Sequence, residues 1–565
     1  PNLPTTASLK ELPFVKNYHF VQASYHRSWE LSANVSANKN RGQALTTPKN
    51  RLTRYNRRIA NPSRAALALM YLDHYIGGDI LTRTVKSIPK GSLSNAVLKK
   101  ELSRKTDKPL DWFFDHYIHL DNNVDLKLQG KKINAEISRI HINSTNSKVA
   151  IPIKKILTNG TQQTAWILSN DLPYEQDYKN AEISSLTINK NHYIPERQLN
   201  NNTYQLGNGL FRNNLKLRFL QDIAESGTAL LLYRPEFAYN YYDGLLGGIS
   251  IANSSILANT FRFKFSPQYG VKRKQISGLG FLIADFYKEN SSHYLTRINL
   301  FGSSFHYAPQ LRYTVFTPSL IFYYRPKGIQ NKQRSSLQIQ HVSVRLDDLP
   351  ESDERRGYGV SLASFQSRKG TALDNFSYKA EAQVASNFKK LSLNAEYITY
   401  YAPNRRWTMR VFAGTFLSNN ANDNYYDFNV SRVNDYLFQH DLYGRSEAEG
   451  FFSQQYIKAE GALRTTGNLT SANQWLMTAQ SATTIWRWVE GYAEIGWVKS
   501  MHQNAETHWG TGITFNLVPD FFEVHFPIYN SNGTVFTNNA YPKNIRFQLS
   551  LRPASLAKLF SRSWF

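Results

Sequence analysis

From about residue 206 to the end of the chain, apolar and polar residues alternate in short segments separated by Asn- and Gly-containing turns. Residues 215–219 (LKLRF) put apolar side chains on one face and cations on the other, and residues 261–265 (FRFKF) repeat the design. Residues 457–463 (IKAEGAL) and 545–551 (IRFQLSL) follow the same period of two. That period is the mark of a β-strand. Sustained over so long a region, it predicts lipid-facing and lumen-facing sides of a transmembrane β-barrel. The rings of residues 320–324 (LIFYY) would then sit at the membrane interfaces. At about twenty residues per strand and turn, the region holds roughly 16 to 18 antiparallel strands, with an even number expected. A lumen that wide is filled with water or plugged.

The pattern is different upstream. Residues 1–60 are polar, and residues 34–50 (NVSANKNRGQALTTPKN) read as loop. Pro62 opens a helix that runs to Ile76 and ends at Gly77-Gly78. Leu69, Leu72, Tyr75 and Ile76 share a face that should pack on other helices. A second helix is expected near residues 94–104, and an amphipathic third over 108–118. Residues 124–128, 135–141, 149–156, 165–168 and 183–188 are short strand patterns between turns, which suggests a small β-sandwich. The expected organisation is therefore a helical region over 1–121, a β-sandwich over 122–204 and a barrel over 205–565, mainly β in class.

Composition narrows the alternatives. Mean hydropathy is −0.48, and no apolar run approaches the ~18 residues of a membrane helix. A membrane-spanning form must then be a closed barrel, because only that satisfies strand backbone groups in lipid. Aromatic residues make up 14 % of the chain, as interfacial girdles require. A soluble propeller is disfavoured by the absence of a repeat of about 40–50 residues. A soluble sandwich would have to bury charges facing one another. Cysteine is absent, which excludes a disulfide framework. The formal net charge is +25, but the cations are scattered along the chain, which argues against a nucleic-acid partner. An electropositive lumen and contacts with outer-membrane lipids and lipopolysaccharide are the expected use. The chain opens at Pro1 without a charged-then-apolar leader, consistent with a removed signal peptide or with sequence lying upstream.

Four stretches in order resemble M1-type (gluzincin) metallopeptidases that carry a C-terminal outer-membrane barrel. Residues 63–77 (SRAALALMYLDHYIG) resemble a late helix of the peptidase domain. Residues 110–118 (LDWFFDHYI), with Trp112, Phe113 and Phe114, resemble the end of its helical part. Residues 192–204 (HYIPERQLNNNTY), with Pro195, Glu196, Asn201 and Asn202, resemble the link from sandwich to barrel. Residues 239–245 (YNYYDGL), with Tyr242, Asp243 and Gly244, resemble the first barrel hairpin. The resemblance implies a zinc aminopeptidase ancestry. Such enzymes hold zinc with an HExxH helix and a distant Glu, and bind the substrate's amino terminus with a GxMEN loop. None of the 14 His and none of the 4 Met is followed by Glu. No catalytic residue, metal ligand or cofactor is therefore assigned to this chain; zinc would enter only with a catalytic half upstream of Pro1.

The remaining candidates read as structural. His116 and His119 lie three apart beside aromatic residues, so packing outweighs metal binding. The acidic residues 347–354 (DDLPESDE) lack an EF-hand pattern and suggest a solvated loop. Residues 419–427 (NNANDNYYD) look like an exposed turn, and Gly244, Gly247 and Gly248 like packing glycines within strands. Residues 422–452 break the strand rhythm, as an extracellular loop or a lumen plug would. After residues 545–551, Pro553 stops the alternation, and residues 554–565 could form a short helix ending at Phe565. The expected function is a non-catalytic subunit or scaffold of an outer-membrane complex, working with other outer-membrane or periplasmic proteins. The membrane-anchored half of an active zinc aminopeptidase and a pore are the alternatives.

Overall fold

The computed structural model describes residue 18 and residues 25–549, apart from short stretches at 121–123, 145–147, 169–172, 207–213, 224–226, 256, 258, 289–290, 327–330, 348, 350–352, 372, 422–423, 466–470, 519–521 and 537–540. Two compact units are present. The first is mainly residues 1–234, and the second takes most of 235–565.

In the first unit, α1 (Tyr25–Asn38), α2 (Asn61–Ile76), α3 (Ile80–Ser87) and α4 (Asn95–Ser103) precede two small sheets. One sheet contains β1 (Leu126–Lys132), β2 (Ile137–Ser144) and β5 (Tyr174–Lys179). The other runs β4 (Gln162–Ile167), β3 (Ile151–Leu157), β6 (Ile183–Ile188) and β7 (Thr203–Gln205). Alternate residues of both sheets, such as Leu126, Ile140, Ile142, Ile153 and Leu186, enter one core with Tyr71, Leu72, Trp112 and Phe113 of the helical region. The two sheets share one hydrophobic core with the helices.

Several local expectations fail here, each for a physical reason. Residues 34–38 belong to α1, not to a loop. The helix buries Ala33, Asn34, Ser36, Ala37 and Asn38, so its contact face is small and polar and gives no apolar stripe. Asn34 Oδ1 accepts Glu196 N at 3.0 Å, and Asn38 Nδ2 donates to Arg197 O at 2.8 Å. Leu69 of α2 is 47 % exposed; Leu67, Ala68, Tyr71, Leu72, Tyr75 and Ile76 form the buried side. Residues 108–118 do not form one amphipathic helix. A π-helical turn at Trp112–His116 passes into a 3₁₀ turn at Tyr117–His119. Three consecutive rings, Trp112, Phe113 and Phe114, are all buried, which the single face of a regular α-helix does not permit.

The strand region closes into a barrel of eighteen strands. It begins with β8 (Asn214–Phe219), β9 (Thr228–Asn240), β10 (Gly244–Ala252), β11 (Phe261–Gly270) and β12 (Gln275–Tyr287). It continues through β13 (His293–Ala308), β14 (Leu311–Tyr324), β15 (Arg334–Leu346) and β16 (Gly357–Gly370). Then follow β17 (Asp374–Ala385), β18 (Phe388–Ala402) and β19 (Arg405–Asn419). A short pair, β20 (Phe428–Asn429) and β21 (Ser471–Ala472), stands apart from the wall. The wall resumes with β22 (Trp475–Trp486), β23 (Val489–Lys499), β24 (Glu506–Val518), β25 (Phe522–Asn530), β26 (Gly533–Thr534) and β27 (Arg546–Leu549). From β12 to β19, and from β22 to β25, neighbours pair antiparallel, as does β19 with β22. The expectation of antiparallel pairing throughout does not hold at one place: β8 and β9 run parallel. Residues 551–565, including Pro553 and Phe565, lie outside the described residues.

Register separates the two faces of the wall. Leu337, Phe365, Ala380, Leu393, Ala413 and Met477 are successive partners across β15 to β19 and β22. One position along, Gln338, Ser364, Glu381 and Ser392 form the matching row of the opposite face. Exposed Ile298, Phe316, Ile339, Leu391, Met409 and Trp509 extend the apolar side. An apolar exterior of this extent on a closed barrel is the surface a bilayer covers. No helix among the described residues is long and apolar enough to cross a membrane.

Candidate functional site: the filled lumen

The connection between β19 and β22 spans residues 420–474, and its described residues fold into the barrel. Residues 457–463, read from their alternation as a strand, have no strand ladder. The alternation reflects packing against the wall. Leu463 is buried with Phe412, Phe428, Val430, Leu476 and Val498. Of residues 419–427, expected as an exposed turn, Asn420 and Asn424 are exposed but Tyr426 and Asp427 are buried, and 422–423 lie outside the described residues.

Main-chain groups of this segment are met by wall side chains, as a buried irregular backbone requires. Gln480 Nε2 donates to the carbonyls of Gly461 (2.7 Å) and Ala462 (2.6 Å), and Thr478 Oγ1 to Gly461 (3.1 Å). Arg410 donates to the Glu460 carbonyl at 2.5 Å. Arg546 donates to Ser431 O at 2.8 Å and Gln454 O at 3.2 Å. On β23, Glu494 Oε1 accepts from both the amide and the hydroxyl of Thr465 at 2.7 Å. Contacts on β19, β22, β23 and β27 thus hold one segment from several sides.

Its centre is an ion pair. Lys390 of β18 donates to Glu460 Oε1 at 2.6 Å, to the Tyr436 hydroxyl at 3.0 Å and to Asp427 O at 3.1 Å. The Phe428 ring lies 4.2 Å from the ammonium. Glu460 Oε2 accepts the amide (2.7 Å) and side chain (2.9 Å) of Asn429. The buried Lys390 and the partly buried Glu460 are therefore both paired and hydrogen-bonded, the condition for taking charge out of water. Near the same end of the barrel, Asp435 binds Arg445 at 2.6 Å and accepts the amides of Gln439 and His440. Burial pushes the Asp435 carboxyl up, but the Arg445 charge outweighs it and holds the group below its ordinary value. Asp427 has no such partner for Oδ1, and burial pushes its carboxyl up to about 8.

Apolar packing completes the seal. Val315, Val342, Val344, Val360 and Leu362 of the wall are buried against Tyr426, Tyr436, Leu437 and Phe438 of the segment. A water-filled channel would line these positions with polar groups. Gly414 allows a close approach: a Cβ there would lie 2.5 Å from the Phe428 ring. Between segment and wall, a polar cavity of about 220 Å³ remains, lined in part by Lys379, Glu381, Asn394, Arg410, Lys458 and Glu460.

The residues singled out by the family resemblance fall into separate places. Tyr242 and Asp243 lie in the turn between β9 and β10, and Gly244 opens β10. Asp243 is buried; its carboxylate contacts His306 Nδ1 at 2.6 Å and accepts Asn240 Nδ2 at 2.7 Å. Gly244 has φ +73°, a value that favours glycine. The Tyr242 hydroxyl accepts Ser446 N at 2.9 Å, which joins this turn to the lumenal segment. In the first unit, Glu196 is buried and accepts from Asn189, from Asn202 Nδ2 (2.6 Å) and from Leu126 N (3.0 Å). Burial raises its carboxyl well above the ordinary range. Pro195, Glu196, Asn201 and Asn202 precede β7 and so lie inside the sandwich region. Trp112, Phe113 and Phe114 are core residues. His119 Nδ1 is 3.1 Å from Thr46 Oγ1. In the acidic stretch after β15, Asp347 pairs with Arg345 of β15 and Asp353 with Arg355; residues 348 and 350–352 lie outside the described residues. Sequence reasoning missed Lys390, Arg410, Gln480 and Glu494; inward polar residues on a predicted barrel strand were the available signal.

No family model matches the sequence, and no curated protein matches it. Among solved structures, the chain is similar to BamA from Haemophilus ducreyi lacking POTRA domains 1–3. The identity is 8 %, the TM-score 0.32, and the match covers 81 % of this chain and 93 % of that one. The fold assignment rests on strand pairing and the two faces of the wall. The M1 resemblance keeps only the four stretches that suggested it.

Proposed function

We propose that the chain is an outer-membrane protein whose barrel is closed by residues of its own lumenal segment, and that it serves as a non-catalytic subunit or scaffold of a membrane complex for assembly, export or uptake. The observation that carries this reading is the Lys390–Glu460 pair with its surrounding packing. A lumen held by buried charge pairs and apolar clusters leaves interaction with partners as the work of the barrel. The first unit, with its helices and sandwich, is read as the periplasmic part. Descent from an M1 peptidase-like ancestor belongs to the same proposal and is supported by the four stretches alone. Extraction of the native complex in mild detergent tests the scaffold role. Stoichiometric companion proteins are expected to co-purify. A homogeneous, partner-free chain after crosslinking in intact cells would sink it.

A further inference from the structure

Between Glu30 and Asp73 the sequence contains no carboxylate but many cations. Lys39, Arg41, Lys49, Arg54, Arg57 and Arg58 are all exposed. Two buried amides tie together the main chain that carries them. Gln43 Nε2 donates to Arg51 O at 2.9 Å, and Gln43 Oε1 accepts Thr53 N and Asn56 Nδ2, both at 2.8 Å. Asn56 Nδ2 also reaches Arg41 O at 2.8 Å. The turns before α2 that carry these exposed cations are thereby fastened to one another. Amid these cations, Tyr55 and Ile59 stand one turn apart, 37 % and 45 % exposed. The Tyr55 hydroxyl donates to Ser32 O at 3.3 Å, which ties its ring to α1.

We infer that this surface docks on anionic phospholipid headgroups, with Tyr55 and Ile59 entering the interface. The inference rests on the membrane reading of the barrel and is independent of whether the lumen is closed. The cations have no carboxylate within the segment to neutralise them, so a phosphate-bearing surface complements them. A tyrosine ring sits well at headgroup level, and an aliphatic side chain beside it gains from the acyl boundary. A soluble polyanion offers Ile59 no such environment. The barrel anchors the chain in a bilayer, so these residues search for headgroups within one molecule and at high effective concentration.

The absence of cysteine makes the test clean. Ile59→Cys receives a nitroxide in the full chain, reconstituted in phosphatidylcholine vesicles with or without phosphatidylglycerol. With phosphatidylglycerol, the label is expected to collide more with oxygen and less with an aqueous nickel complex. High salt and the triple change Arg54→Gln, Arg57→Gln, Arg58→Gln should each abolish that shift. A label at Tyr55→Cys provides the same readout if the first variant folds poorly. Equal collision rates in both lipids would overturn the inference. So would protection by soluble heparin in phosphatidylcholine vesicles, which would assign the surface to a polyanion. Failure to reconstitute any heat-modifiable barrel would instead count against the membrane reading itself.

Discussion

Lys390 shows how a single side chain organises the lumen. Its ammonium meets Glu460, Tyr436 and the Asp427 carbonyl at once. Replacing it with Met leaves the partly buried Glu460 carboxylate without its cation, a change that costs up to about 3 kcal/mol. The expected result is a lower denaturation midpoint and faster proteolysis of residues 424–463. Adding Glu460→Gln to Lys390→Met should recover most of the loss, because the orphaned charge is gone. Asp427 sets a pH dependence of defined sign. Its carboxyl is raised to about 8 in the fold from an ordinary value near 4. The stability it contributes is present below the lower value and is lost as pH rises toward about 8. Asp427→Asn should therefore flatten the fall in thermal midpoint between pH 5 and pH 9. An unchanged slope would assign that fall to other groups.

At the scale of elements, close approach between segment and wall depends on missing side chains. Gly414→Val would drive a branched side chain into Phe428, and such overpacking costs about 1–3 kcal/mol. Faster hydrogen exchange at residues 428–430 is the expected sign, with the wall strands still protected. The strand region was legible from the sequence because each strand has two environments, lipid and lumen, and period two records them. The turn at Tyr242 and Asp243 was suggested by the family resemblance alone, and Gly244, read as a packing glycine within a strand, carries a positive φ that alternation does not reveal. Elements held by polar contacts were not legible. The buried face of α1 consists of Ala, Ser and Asn, and its partners are carbonyls and amides far away in sequence. Residues 457–463 gave a false strand because apolar residues facing a wall repeat as they would in a sheet. The lumenal site was half visible: the broken rhythm over 422–452 pointed to a loop or plug, but Gln480 and Glu494 acquire meaning only once the segment lies against them.

At the scale of the whole molecule, the account joins an apolar exterior to a filled interior. Outward rows such as Leu337, Phe365, Leu393 and Met477 require a hydrocarbon surround. Inward Val342, Val344 and Val360 are covered by the chain itself. A barrel of this width without the segment would enclose water. Conductance across a planar bilayer tests that claim most directly. The full chain is predicted to show no steady open current, and a variant lacking residues 424–463 to conduct continuously. A steady current through the full chain, unchanged by the deletion, would contradict the filled lumen.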